Sequence, residues 1–263
     1  MTEIYTERLV AFVDILGWSS YCKRSAEADV VAVADLLQRQ VIATEMMDRN
    51  RDLYSAYTKE KVRATPGILP NPLHQAVECS AFSDSIVLSM PASFGWRICG
   101  IGGLCRDLLQ LGFLTRGAVT VGKLHHRNGM VFGPALVRAV ELEKTAVFPR
   151  IVVDAEISKR GKGWPLGGSR PVIIDHLGRK VVNLFDGPSH HTLKGVRSWR
   201  SEVWRIGEIR KRLAQELRDC ADNEHIAEKW RYMQRVLPRM LGPLRDRLLD
   251  PTPPCSECAS NVS

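Results

Sequence analysis

The sequence has no long apolar segment and no regular cysteine framework. No uninterrupted apolar run approaches the roughly 20 residues that span a bilayer, and residues 1–5 lack the pattern of a secretory signal. The seven cysteines are scattered and odd in number, so reduced thiols are expected rather than disulfides. These absences argue against a membrane protein and a disulfide-stabilised secreted protein. We expect a cytoplasmic protein that contacts no membrane.

Acidic residues are fewer than basic ones, and the net charge is +8, from 37 Lys and Arg against 29 Asp and Glu. Residues 197–247 hold thirteen basic and eight acidic residues. Such a surplus can indicate nucleic-acid binding. Here the charges follow amphipathic helical sequence, which is typical of a solvated helix face. Nucleic acid is therefore not an expected partner, and a nucleic-acid binder would be recognised by a steep salt dependence.

The 263 residues, 44% apolar and 25% charged, are typical of a globular protein with one large core. Hydrophobic periodicity predicts the order strand, helix, strand, strand, helix, strand, helix, strand up to about residue 154. This order predicts an α/β (α+β) fold, a ferredoxin-like mixed sheet with helices on one face. We predict this domain over residues 1–198, a C-terminal helical extension over 199–250 and a disordered tail over 251–263.

Asp14 follows the first predicted strand directly. Residues 9–13 are continuously apolar, which is typical of a strand covered on both faces. A carboxylate at the end of such a strand is costly unless a cation neutralises it. A helix-capping or salt-bridged Asp remains the alternative interpretation.

Asp84 stands in a similar setting, between two apolar runs in CSAFSDSIVLS, as the tip of a hairpin would. Two carboxylates on neighbouring strands, together with phosphate oxygens, form a natural pocket for divalent metal. The sequence therefore predicts that Asp14 and Asp84 are metal ligands.

Five motifs now form a pattern: FVDILGW, FSDS, RGAVTVGK, VFGPAL and FPRIVVD, in this order over residues 9–154. The pattern resembles the class III nucleotidyl cyclases, and most closely the Pycsar pyrimidine cyclases of bacterial anti-phage defence. The resemblance covers a little over half of the chain. It implies a cyclase domain that converts UTP or CTP to 3′,5′-cyclic UMP or cyclic CMP plus pyrophosphate, as a second messenger for a separate effector.

The resemblance also implies a site. Asp14, Asp84 and the Ile15 carbonyl would bind two Mg²⁺ or Mn²⁺ ions, and Gly17, which follows them, would lie against the substrate. In the resembling family two chains pair head to tail and share each site, so a homodimer with two sites is expected.

This sequence departs from the purine cyclases at the positions that read the base and stabilise the transition state. Ser80 stands where those enzymes have a Lys, and Met130 aligns roughly with their adenine-reading Asp. The catalytic Asn and Arg of the later helix align with Val137 and Glu141. The missing purine-reading residues favour a different base.

Another cation must then stabilise charge on the phosphoryl oxygens. Arg116 is the first candidate, because Gly117 lets substrate approach beside it and a guanidinium matches phosphate. Arg150 and Lys123 are further candidates, with surface or salt-bridged cations as the alternative interpretation. Tyr57 is expected to provide an aromatic platform for the base, although an exposed loop tyrosine fits its position equally well.

Three other functions remain open at this stage. They are a purine cyclase with unusual base recognition, a non-catalytic nucleotide sensor that kept the fold, and a basic nucleic-acid binder. The presence of both Asp14 and Asp84 argues against a sensor, because a scaffold needs no paired carboxylates.

Overall fold

The computed structural model describes residues 4–24, 30–31, 78–92, 98–127, 129–159, 170–185 and 199–242. In chain order these ranges contain β1 (Thr6–Ile15), α1 (Trp18–Arg24), β2 (Glu78–Phe82), β3 (Ser85–Pro91), α2 (Ile98–Gln110), β4 (Thr115–Arg127), β5 (Met130–Phe132), α3 (Pro134–Lys144), β6 (Ile151–Val153), α4 (Ala155–Lys159), β7 (Val172–Ile174), β8 (Lys180–Val182), α5 (Trp199–Asp219) and α6 (Glu224–Leu241).

The strands form one open sheet in the order β2-β3-β1-β4-β6-β8-β7, with β5 paired to the end of β4. The pairings are antiparallel except that of β4 with β6, which is parallel. The predicted mixed α+β architecture is confirmed. β1 lies inside the sheet, between β3 and β4, and both of its faces are covered, which explains why its sequence is continuously apolar.

Helices cover both faces of this sheet, so the prediction of helices on one face is wrong. On one face Leu9 and Ala11 of β1 join the main core, which includes residues of α2, α5 and α6. On the other face Val10 packs with Ala135 of α3. Successive residues of a strand point to opposite faces, and an unbroken apolar run does not reveal how helices are divided between them.

The C-terminal helices are part of the main core. Buried residues of α5 and α6, including Ile206, Ile209, Tyr232 and Val236, belong to the same cluster as those of β1 and β3. Asn223 begins α6 as an N-cap, and its side chain accepts from the Ile226 N–H. The predicted boundary between residues 198 and 199 stays a prediction.

Most predicted elements in the described ranges are confirmed. The sequence predicts a helix that ends near Gly112, which is α2, and a late pair of strands over residues 171–175 and 180–185, which are β7 and β8. Gly112 adopts φ +93°, as a helix C-terminus favours.

Helical spacing of apolar residues also predicts a long helix over residues 26–50, of which only residues 30–31 are described. The tail from residue 251 lies outside the described residues. None of the helices in the described ranges combines the length and the hydropathy that crossing a bilayer requires.

Two helical glycines give a matched stability test. A Cβ on Gly102 of α2 would lie 2.3 Å from the Asn183 carbonyl oxygen, whereas a Cβ on Gly207 of α5 would meet nothing within 4 Å. We expect Gly102→Ala to destabilise the protein by about 1–3 kcal/mol, because backbone must move apart. We expect Gly207→Ala to stabilise it by up to about 1 kcal/mol through helix propensity. Urea unfolding of both variants measures this, and equal effects would contradict the close approach of α2 to Asn183.

Candidate active site

Asp14 and Asp84 lie side by side at one end of the sheet. Asp14 is the penultimate residue of β1, and Asp84 occupies the two-residue turn between β2 and β3, as predicted. The Ile15 N–H donates to the Asp84 carbonyl oxygen at 2.8 Å, and Asp14 pairs with Ser85 in the ladder between β1 and β3. These backbone bonds fix the turn against the end of β1.

The turn contains a strained residue. Ser83 has φ +56° and is the only non-glycine residue in the described ranges with positive φ. The left-handed region of positive φ is disfavoured by roughly 1–2 kcal/mol for any L-residue that has a side chain. The strain is therefore borne directly beside Asp84, at the position where a two-residue hairpin turn favours glycine.

The electrostatic surroundings of Asp14 are acidic. Burial is the largest influence and raises the pKa of Asp14, and the carboxylate of Asp84 raises it further. Arg116 lowers that pKa, while Glu143 adds to the increase. Because the net pKa shift is upward, the local cation does not fully compensate the buried negative charge. Such a site has a deficit of positive charge.

Arg116 lies between two of the acids. Its Nη2 is 3.5 Å from Asp14 Oδ2, and its Nε forms an ion pair with Glu143 Oε1 that lacks hydrogen-bond alignment. Asp14 and Arg116 are directly paired residues of β1 and β4, and Glu143 comes from the last turn of α3. Three elements thus bring one cation and two carboxylates together.

Gly117 makes this arrangement possible. A Cβ at residue 117 would lie 2.2 Å from the Phe12 carbonyl oxygen. The close approach predicted from Gly117 is therefore that of a neighbouring strand. Because residue 117 has no side chain, β1 and β4 can pair closely next to Asp14 and Arg116.

The residues present fit a divalent cation. Within the described ranges no group of three or more His, Cys, Asp or Glu side chains could hold a metal by itself. Mg²⁺ is commonly bound by one or two carboxylates, with the other positions taken by water and substrate phosphates. Asp14 and Asp84 are two such carboxylates. Burial, followed by the charge of Asp84, raises the pKa of Asp14, so a bound cation would relieve an unfavourable negative charge.

Arg150 does not join this site. Its Nη1 donates to Asp175 Oδ2 at 2.7 Å, and its guanidinium lies 5.9 Å from the ring centroids of both Phe148 and Tyr232. Asp175 also accepts from the Tyr232 hydroxyl at 2.8 Å. Arg150 and Asp175 are both buried, so this arginine holds β6, the β7–β8 hairpin and α6 together. The position of Arg150 before a strand gave no sign of that internal partner.

Lys123 is also remote from the carboxylates. It is exposed and stands seven positions beyond Arg116 in β4, about 23 Å along an extended strand. Gly17, in contrast, lies in the turn directly after β1, with φ +80° and open space around it. Tyr57 lies outside the described residues. Of the predicted site residues, Arg116 and Gly17 thus lie near Asp14 and Asp84, whereas Lys123 lies far from them.

A buried polar network was missed by the sequence interpretation. His126, 3% exposed, lies between Ser80 Oγ and Ser89 Oγ, each 2.9 Å from one of its ring nitrogens. Arg8 Nε donates to Ser89 Oγ at 2.8 Å. The sequence predicts a loop at His125 and His126, because two adjacent histidines usually mark a polar loop. That prediction is wrong: β4 extends through both residues, which pair with β5. Only these non-local pairings reveal that the histidine is internal.

His126 makes stability depend on pH. Burial, followed by the charge of Arg8, lowers the pKa of His126 from 6.5 to about 4. Between these values the unfolded chain binds a proton that the folded chain does not, so stability falls as pH decreases from about 6.5 to 4. The expected loss is roughly 3 kcal/mol. Urea unfolding across this pH range checks it, with His126→Asn as the control.

The control removes the proton-binding group but not the carboxylates that titrate in the same range. The difference between the two unfolding curves isolates His126. A difference that stays constant from pH 7 to pH 4 would contradict a buried neutral histidine.

Comparisons with known proteins give structural neighbours only. No protein-family model matches the sequence, and no curated protein matches it. A bacterial light-regulated adenylyl cyclase is 15% identical, with a TM-score of 0.38, over 70% of this chain and 53% of its own. This chain thus spans about half the length of that protein.

Two further solved structures give similar values. The catalytic core of a rhodopsin-guanylyl cyclase with converted specificity, in complex with ATPαS, is 13% identical, with a TM-score of 0.41, over 68% of this chain and 96% of its own. The adenylyl cyclase CyaB from P. aeruginosa is 12% identical, with a TM-score of 0.38, over 68% and 92%. Likenesses this weak carry no argument about function, which has to be argued from the side chains of the site.

Proposed function

We propose that this chain is a metal-dependent nucleotidyl cyclase that converts a pyrimidine nucleoside triphosphate, UTP or CTP, to the 3′,5′-cyclic monophosphate and pyrophosphate. The observation that carries the proposal is the position of Asp14 against the Asp84 turn. Burial first, and the carboxylate of Asp84 second, raise the pKa of Asp14, so its negative charge is unfavourable until a cation binds. Two acids fixed at one sheet end, with insufficient positive charge, suit a divalent cation and a triphosphate.

The reaction has a simple balance. The ribose 3′ oxygen forms a bond to the α-phosphorus, the bond from that phosphorus to the bridging oxygen breaks, and pyrophosphate leaves. The hydroxyl proton passes to solvent. When bound, two Mg²⁺ or Mn²⁺ ions would lower the pKa of the hydroxyl and neutralise phosphate charge.

The chain contributes the ligands and their placement. Asp14 and Asp84 would provide carboxylate oxygens, and Ile15 its backbone carbonyl. Arg116 stays the proposed cation for the phosphoryl oxygens, because it is the arginine ion-paired with Asp14. Its ion pair with Glu143 would hold the guanidinium in place before substrate arrives.

The pyrimidine part rests on the residues that replace the purine-reading ones. Ser80 is a short hydroxyl held by His126, and Met130 is 61% exposed and apolar. Neither side chain can reproduce a Lys and Asp pair. We further propose that two chains pair head to tail, and that the product serves a separate effector in anti-phage defence.

The test is incubation of the protein with UTP, CTP, ATP or GTP in turn, each with Mn²⁺, followed by measurement of pyrophosphate and of cyclic product by mass. Cyclic UMP or cyclic CMP is the expected product. Cyclic AMP or cyclic GMP alone would overturn the pyrimidine assignment, and no cyclic product from any of the four would overturn the cyclase proposal.

A further inference from the structure

Phe82 is an aromatic side chain without an apolar environment. It is 85% exposed, more than any other large apolar residue in the described ranges. Several aromatic residues there pack on one another, as Trp18 and Tyr21 do with Phe113, whereas Trp204 of α5 is also exposed. A single exposed apolar residue is common on protein surfaces, so the position of Phe82 has to decide its meaning.

That position is in the same cross-strand row as the metal-binding candidates. Phe82 pairs with Ser85, Ser85 pairs with Asp14, and Asp14 pairs with Arg116. Directly paired residues project to the same face of a sheet. The row therefore places an exposed ring, a small hydroxyl, a carboxylate and a guanidinium on one surface.

The spacing of this row suits a nucleotide. Two strand spacings separate Phe82 from Asp14, about 10 Å between backbones. Only the short Ser85 side chain lies between them. A ribose joined to a phosphate at Asp14 has room above Ser85, and its base then lies over Phe82.

The backbone of Phe82 is fixed although its ring is exposed. It ends β2 and directly precedes the Ser83–Asp84 turn. The hydrogen bond from Ile15 N–H to Asp84 ties that turn to β1. The backbone of Phe82 consequently belongs to the same hydrogen-bonded unit as Asp84 and β1, so ligand binding has to fix only the side-chain rotation of the ring.

We propose that the ring of Phe82 is the platform on which the base of the bound nucleoside triphosphate stacks, which rests on the proposed function. Aromatic side chains stack on any base because every base has a π-face. Phe82 therefore contributes affinity, while the choice between bases is made elsewhere. The sequence predicts Tyr57 as this platform. Among the described residues, we assign the role to Phe82.

The experiment compares ligands with and without a base. Tripolyphosphate carries the phosphates alone, and UTP, CTP, ATP and GTP carry a base as well. Calorimetric titration in the presence of Mn²⁺ would give the affinity of each for wild type, Phe82→Ala, Phe82→Leu and Phe82→Trp. Nucleotide titrations would use product analysis to correct for turnover.

We expect Phe82→Ala to weaken binding of the preferred nucleoside triphosphate about 10-fold, the scale of one lost stacking contact. Tripolyphosphate affinity should not change. Phe82→Trp should retain nucleotide affinity, and Phe82→Leu, which keeps apolar bulk without a π-face, should lose it as Ala does.

The remaining outcomes separate the two proposals. If wild type binds no tripolyphosphate with Mn²⁺, the proposed function fails. If it does, but Phe82→Ala or Phe82→Leu binds nucleotide as wild type does, the stacking role is overturned while the metal site stands. A loss of tripolyphosphate binding in Phe82→Ala, accompanied by a change of oligomeric state in sedimentation, would assign Phe82 to an interface between copies and also overturn it.

Discussion

Asp14→Asn and Asp84→Asn should each abolish metal-dependent release of pyrophosphate while leaving the fold intact. Each change removes a charged ligand from a site that would neutralise a triphosphate. The loss of several kcal/mol of transition-state stabilisation corresponds to a decrease in turnover of about 1,000-fold or more. The measurement is single-turnover product formation with the preferred triphosphate and Mn²⁺.

Stability provides the internal check on this result. Burial and the neighbouring Asp84 raise the pKa of Asp14, which means that ionised Asp14 is unfavourable in the folded protein. Asp14→Asn should therefore unfold at a temperature no lower than wild type by more than a few degrees. Asp222→Asn, at an exposed position, is the matched control and should keep full turnover. Full activity in either site variant would remove the proposed mechanism.

Asp175→Asn should be the most destabilising single charge removal in the described core. Arg150 and Asp175 have side chains that are 5% and 0% exposed, with 2.7 Å between their charged atoms. Neutralising one partner leaves the other charge buried and unpaired, at a cost of about 3–5 kcal/mol. In a protein of this size the melting temperature should fall by about 10 °C.

The double variant Arg150→Met, Asp175→Asn distinguishes charge from shape. It removes the unpaired guanidinium and keeps an acceptor for the Tyr232 hydroxyl, so it should recover part of the lost stability. Calorimetric melting of both variants measures this. A double variant less stable than Asp175→Asn would mean that the guanidinium contributes mainly through its contacts with Phe148 and Tyr232 rather than through the ion pair.

The parts of the structure that sequence reasoning found are those encoded locally. An apolar run ending in Asp14 marks a central strand, and Asp84 between two such runs marks a hairpin turn. Gly112 and Pro134 mark helix ends. Each of these signals lies within a few neighbouring residues, and periodicity and turn chemistry report on that scale.

The parts that were missed depend on residues far apart in the chain. Arg150 was a candidate cation for the phosphoryl oxygens, with a salt-bridged cation as the alternative. The structure shows the salt bridge, whose partner Asp175 could not be identified before the sheet and α6 meet. His126 looked like a loop residue because Ser80 and Ser89 lie on other strands. A glutamate in a helix, such as Glu143, gives no sequence sign that an arginine of β4 will pair with it.

The bond between Ile15 N–H and the Asp84 carbonyl has a consequence for how this protein can vary. It joins two points separated by 68 intervening residues, and the cost of closing such a loop rises only slowly with its length. Insertions or deletions between α1 and β2 should therefore leave Asp14 and Asp84 next to each other. The two acids should stay together wherever β1 and the β2–β3 hairpin lie beside each other.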